Sequence, residues 1–307
     1  MDIFIQQLIN GLTLGSIYAL VALGYTMVYG ILGLINFAHG EVAMIGALTA
    51  LAVAKPLADA GLLAPLVLLL ALTVAALVCM ALGAAIERVA YRPLRNAPRL
   101  APLITGIGVS IVLQQLAMLI WGRRYHPVPQ LLPDGAHEIF GAQITEVQII
   151  IMAVAALTMA GLMLLVNRTK MGRAMRATAE NPAIAALMGV DANRIILLTF
   201  VIGSGLAALA GVMVSANYGI AHYHMGFLLG LKAFTAAVLG GIGNLAGAMV
   251  GGLLLGVIEA LGAGYIGDLT GGMFGSNYQD VFAFFVLIVV LVFRPSGLMG
   301  EKVSERA

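Results

Sequence analysis

Long apolar runs alternate with short polar segments along this chain. They cover residues 3–29, 42–54, 62–86, 102–121, 146–166, 195–217, 231–264 and 281–293. A helix of roughly 20 residues, rising 1.5 Å per residue, crosses a hydrocarbon core of roughly 30 Å. The runs are continuous and rich in Leu, Ala and Gly, without the period-two alternation of a membrane strand, so they are predicted to be helices. Residues 231–264 hold many glycines and are too few for two full crossings, which need roughly 40 residues. Shorter helices hinged at 240–244 fit that segment better. The pattern predicts an all-α, polytopic integral membrane protein of about eight transmembrane helices, with broken or re-entrant glycine-rich segments. It forms a single domain over 1–307, with an external loop at about 122–145.

Composition agrees: 61% of the 307 residues are hydrophobic and 10% charged, and mean hydropathy is +1.03. A soluble domain is about 25% charged. The formal net charge of +2 gives no reason to expect nucleic acid, because the basic residues gather in two loops, 87–99 and 167–194. The excess of Arg and Lys places both loops on the cytoplasmic side. Lys302 and Arg306 extend that side into a C-terminal tail, and the N-terminus is external if the first two runs both cross. No basic region precedes the first run, so it is expected to be retained. Cys79 stands alone in an apolar run, which excludes a disulfide framework or a cysteine metal site. His126 and His137 sit in a proline-broken loop. No metal or cofactor is expected.

Polar residues inside such runs face the protein interior or a water-filled cavity. Asn36, His39 and Glu41 cluster beside the second run. They form either a turn at the membrane edge or part of a translocation path. The motif Gly33-x-x-Asn36-x-Ala38 recurs as Gly241-x-x-Asn244-x-Ala246, and broken helices at matching places point to a substrate path. The candidate path residues are therefore Asn36, His39, Glu41 and Asn244. Gly33, Gly40, Gly240, Gly241 and Gly243 are the candidate hinges, where the backbone can loosen. Lys232 and Glu259 allow two placements. They pair across the glycine-rich hairpin, or they lie at its external ends, where lysine snorkels at little cost; the second is the simpler.

The longest polar interruption, 167–194, contains a small module with a start and a stop. Asn181 suits a helix cap and Pro182 the first helical position, and Gly189 suits a left-handed stop. Between them lie Ala183, Ile184, Ala185, Ala186, Leu187 and Met188, without charge. Two apolar turns are too short to span a bilayer and too apolar to lie in water, so a groove on a partner is implied. No phosphate-binding loop, zinc-protease motif or nucleophile elbow occurs. The chain reads as a transport subunit rather than an enzyme. Intramembrane ionisable groups are few, which weakens a secondary carrier; that carrier and a passive channel for small polar solutes remain the rivals.

Four stretches carry a resemblance: NGLTLGSIYALVALGYTMVYGILGLINFAHGEVAMIGA, IERVAYRPLRNAPRLAPLITGIGVSI, MGRAMRATAENPAIAALMGVDANRIILLTFVIG and GLKAFTAAVLGGIGNLAGAMVGGLLLGVIEAL. The chain resembles the membrane permease subunits of the high-affinity branched-chain amino acid (leucine/isoleucine/valine) ABC importers, over nearly its whole length outside 122–145. Of the two homologous permeases in such importers, it is similar to the one with the INFAHGE stretch. The resemblance implies a second homologous permease, two cytoplasmic ATP-binding subunits, an external or periplasmic substrate-binding protein, and surrounding membrane lipid. It implies a multi-pass protein of the bacterial plasma (inner) membrane. Such importers dock the ATPase on a loop of the form EAA, three residues, then Gly. Here Ala183-Ile184-Ala185 precede Gly189 at that spacing without the leading glutamate, for which Glu180 is a substitute. The implied coupling residues are Glu180, Asn181, Pro182, Ala183, Ala185, Leu187, Met188 and Gly189. Leucine-type amino acids lead as substrates; related importers carry other amino acids, amides or urea.

Overall fold

A computed structural model describes residues 2–95, 97–98, 100–133, 135–139, 141–269, 271 and 278–300. Arg99, Lys302, Arg306 and much of the loop predicted after residue 264 lie outside the described residues. At the centre, α1 (Asp2–Leu32) runs antiparallel to α10 (Leu245–Leu269). Gly252 meets Ala19, and Gly256 meets Gly15 and Gly11. Lipid tails give helices no hydrophobic reason to associate, so close backbone packing through small residues supplies the attraction. Ile17, Leu20 and Leu23 of α1 are completely buried.

α8 (Ala192–Tyr218) and α5 (Glu146–Arg168) pack on α1, α2 (His39–Asp59) and α3 (Ala64–Ile86) pack on α8 and on each other, and α4 (Leu100–Trp121) lies against α2 at the periphery. The outer helices leave Ile104, Leu119, Leu157 and Leu164 exposed, as befits faces turned to lipid or another apolar surface. Among the described residues, seven helices are long and apolar enough to cross a membrane. Two shorter apolar helices join them: α9 (Met225–Gly240), and the 284–293 part of α11 (Gln279–Phe293). The expected hinge at 240–244 separates α9 from α10.

Two boundaries differ from the expected ones. α2 does not break at Lys55-Pro56 but carries Pro56 inside its last turn, where the missing N–H forfeits one bond at most. The basic segment after the third run does not begin as a loop. α3 continues as a π-helical turn (Glu87–Tyr91) and a 3-10 turn (Arg92–Leu94) that itself contains Pro93. Short strands also appear in the outer loops. β1 (His126–Pro127) pairs with β4 (Ile220–Ala221), and β2 (Ala136–Ile139) with β3 (Ala142–Thr145).

Polar contacts fix which loops share an end. Arg95 donates to Asn193 Oδ1 at 2.6 Å, joining the two basic segments. At the opposite end, Gln6 exchanges two hydrogen bonds with the backbone of Gln143, at 2.9 and 2.8 Å. Gln148 donates to Asn10 at 3.1 Å. The start of α1 therefore lies at the end opposite the basic segments.

Candidate functional site

The break between α1 and α2 begins at Gly33, whose φ of +63° is a left-handed conformation that a side chain resists. Asn36 then builds the turn. Its Oδ1 accepts from the Ala38 N–H at 3.1 Å and from the Tyr91 hydroxyl at 3.2 Å, and its carbonyl accepts from His39 N–H at 3.0 Å. Asn36 is thus spent on geometry, anchored by the π-turn after α3. His39 is buried, its ring against Gly24 of α1, where a side chain would collide. It meets Tyr25 edge-on at 4.9 Å between ring centroids.

Glu41 occupies the first turn of α2, where a carboxylate suits the positive end of the helix dipole. It is 1% exposed. Ser110 of α4 donates to its Oε1 at 3.3 Å, and its Oε2 has no hydrogen-bond partner among the described residues. Glycines on α9 make room for it: a Cβ at Gly226 would stand 2.5 Å from Oε2. Beside it, between α4 and α9, lies a cavity of about 240 Å³ lined by Tyr25, Phe37, Ser110, Gln114, His224 and Phe234, among others. Glu41, Asn36 and His39 therefore come together at the start of α2.

Asn244 does not join them. It sits in the α9–α10 break, which opens at Gly241 with φ +107°. Its Oδ1 accepts from Gly247 N–H at 3.0 Å and its Nδ2 donates to Met299 O at 2.9 Å. Leu298 and Met299 N–H bond to the carbonyls of Leu239 and Gly240 at 2.9 Å each, so the segment after α11 seals the break. The repeated Gly-x-x-Asn-x-Ala motif encodes a left-handed glycine followed by an asparagine that organises the next helix start. Of the candidate hinges, Gly33, Gly241 and Gly243 have positive φ. Gly40 and Gly240 lie inside helices instead. Gly40 packs on Gly226 and Gly230, and Gly240 on Gly247, so their missing side chains serve contact rather than a loosened backbone.

Lys232 and Glu259 pair with one another. Lys232 Nζ lies 2.6 Å from Glu259 and 2.8 Å from Asp280, and 5.7 Å from the centre of the Tyr18 ring. One cation thus joins α9, α10 and α11.

At the basic end, Thr169 caps α6 (Lys170–Glu180) by accepting from Gly172 N–H at 3.0 Å, and Arg176 donates to the Val166 carbonyl at the close of α5. Asn181 caps α7 (Pro182–Leu187) by accepting from Ala183 and Ile184 N–H at 3.0 and 3.1 Å. Gly189 follows with φ +84°. Only Ala185 of α7 is buried. Leu187 and Met188 are 87% and 81% exposed and Ile184 is 59% exposed; Glu180, Pro182 and Ala183 are also exposed.

Ser110, Gln114, His224, Tyr91 and Met299 complete these sites without having been singled out as partners. Their contacts join residues 55 to 110 positions apart. The polar streak Ser110, Gln114 along α4 was the one signal available beforehand.

A multi-pass helical bundle with a polar cluster at a broken helix and an exposed apolar helix at one end is a membrane permease, a transport subunit rather than an enzyme. More specifically, the chain belongs to the family described as branched-chain amino acid transport system / permease component, whose model matches residues 7–291. The chain is 51% identical to the high-affinity branched-chain amino acid transport system permease protein BraD of Pseudomonas aeruginosa, over 99% of this chain and 98% of that one. It is 47% identical to the permease protein LivH of Escherichia coli, over 99% and 97%. A probable LivH of Methanocaldococcus jannaschii is 28% identical over 93% and 89%. No solved structure matches the chain.

Proposed function

We propose that this chain is one permease subunit of an ATP-driven importer of branched-chain amino acids in a bacterial inner membrane. The reading takes the chain as a single permease domain with its basic end in the cytoplasm, following the charge rule for membrane loops. A second related permease completes the pathway, two ATP-binding subunits dock at the basic end, and a soluble binding protein delivers substrate to the opposite end. The substrate follows from the names of the full-length relatives.

The observation that carries the coupling role is α7, capped and stopped as a rigid unit while presenting Ile184, Leu187 and Met188 outward. Apolar side chains exposed together beside a basic surface fit a cleft on a partner. Burying a Leu- or Met-sized side chain there contributes roughly 1.5–3 kcal/mol. Leu187→Asp with Met188→Asp forfeits that burial and places unpaired charge in an apolar cleft. The double variant is expected in the membrane at normal level, without ATP-binding subunits on purification and without ATP-driven uptake of labelled leucine, isoleucine or valine. Retention of those subunits at wild-type stoichiometry, with uptake intact, refutes the coupling role.

A further inference from the structure

Among the described residues, Glu41 is a buried carboxylate with no cation opposite it. The salt bridges described elsewhere do not involve it, and the one hydrogen bond it receives from a described residue is the long contact from Ser110. Burying an anion without a partner is costly, and ionisable groups inside a membrane mark sites of function more often than of structure. Ser110 also lines the cavity of about 240 Å³ between α4 and α9, so a single hydroxyl separates this carboxylate from a space that opens to the outside of the chain past the exposed Ile107, Ile111 and Phe227. On the same cavity, Gln114 Nε2 and His224 Nδ1 lie 2.8 Å apart, a polar pair able to donate. The remaining wall is apolar: Ile107 and Ile111 from α4, Phe227 and Phe234 from α9.

We propose that this cavity is a transit site for an apolar α-amino acid within the permease, and the inference rests on the importer reading above. The substrate ammonium is received at Ser110 and Glu41, supplying the cation that the carboxylate lacks. The substrate carboxylate is received by Gln114 and His224. The aliphatic side chain lies between the two isoleucines and the two phenylalanines. These features select for three things at once: a positive group, a negative group close to it, and a branched hydrocarbon. A larger cavity of about 350 Å³ reaches Lys232, but that ammonium is already held by Glu259 and Asp280 and offers no comparable unmet charge.

The test uses the whole complex in proteoliposomes, with photo-leucine, the diazirine analogue of leucine, as probe. Adducts on this chain are expected at Ile107, Ile111, Phe227 or Phe234. Leucine should suppress them, whereas 4-methylpentanoate, which lacks the ammonium, should not at equal concentration. In parallel, Glu41→Gln is expected to lower leucine uptake at least tenfold, with Glu41→Asp retaining part of it. Adducts confined to other parts of the chain, or equal competition by 4-methylpentanoate, overturn the proposal, as does wild-type uptake by Glu41→Gln. If Glu41→Gln fails to accumulate, the adduct map of the wild-type complex decides alone. Failure of the wild-type complex to take up any branched-chain amino acid strikes the importer reading instead, whereas wild-type uptake with adducts elsewhere strikes only the cavity.

Discussion

Glu259 on α10 and Glu41 on α2 are each 1% exposed, yet their surroundings are opposite. Glu259 has the Lys232 ammonium at 2.6 Å, and Asp280 shares the same cation. Glu41 has a serine hydroxyl at 3.3 Å and no cation among the described residues, although in both acids the second carboxylate oxygen lacks a hydrogen-bond partner there. The first acid belongs to a group in which one cation offsets the charge of two carboxylates and ties three helices together. The second has no such cation, and the serine that donates to it lines a cavity. In a membrane, where water cannot make up the difference, a matched carboxylate stabilises the bundle and an unmatched one is held in reserve for something that arrives.

The largest effect should come from removing the shared cation. Lys232→Met leaves two carboxylates without their partner, and breaking a buried pair in this way costs about 3–5 kcal/mol. Purified protein should lose most of its thermal stability in detergent, and Lys232→Met with Glu259→Gln should recover part of it. A Lys232→Met variant as stable as wild type would break the comparison. A smaller and more telling effect is the difference between the two glutamates. Glu259→Gln should lower the melting temperature, because Lys232 loses a charged neighbour. Glu41→Gln should leave it unchanged or raise it, since it removes an uncompensated charge at a net difference of about 1 kcal/mol. Equal destabilisation by both would make Glu41 an ordinary structural residue. The smallest effect is expected from Asp280→Asn, because its side chain is 35% exposed and such pairs contribute about 0.2–1 kcal/mol. Melting curves in low and high salt measure it, and a loss as large as that of Lys232→Met would reverse the ranking of the two acids.

Local structure was legible in the sequence wherever its cause is local. Asn181, Pro182 and Gly189 each act within a few residues of their own position, so the start and stop of α7 could be read directly. The break at 240–244 was likewise announced by glycines in a run too short to cross twice. Contacts between distant helices were not legible. Lys232 and Glu259 are 27 residues apart and Glu41 and Ser110 are 69 apart, and no periodicity of either helix states which face meets which. Glycine is ambiguous for the same reason. Gly33 and Gly40 look alike in the chain, but one is needed for its backbone angle and the other for what presses against it. Asn36 and Asn244 stand at matching breaks and each is occupied in shaping a turn, whereas Glu41 and His39 beside Asn36 each keep a buried atom without a hydrogen-bond partner among the described residues.

The seal over the α9–α10 break also imposes an order in time. Asn244 and Met299 are 55 positions apart, and chains are made at roughly 5–20 residues per second. Met299 is therefore joined to the growing chain roughly 3–11 s after Asn244. Through that interval α9 and α10 can enter the membrane, but the carbonyls of Leu239 and Gly240 still lack the N–H groups of Leu298 and Met299. The break becomes fully bonded only after α11 has been made and the chain beyond it has folded back. A nascent chain halted before residue 298 would hold all its membrane helices and still carry an open seam at the basic end, recognisable to whatever inspects newly inserted proteins.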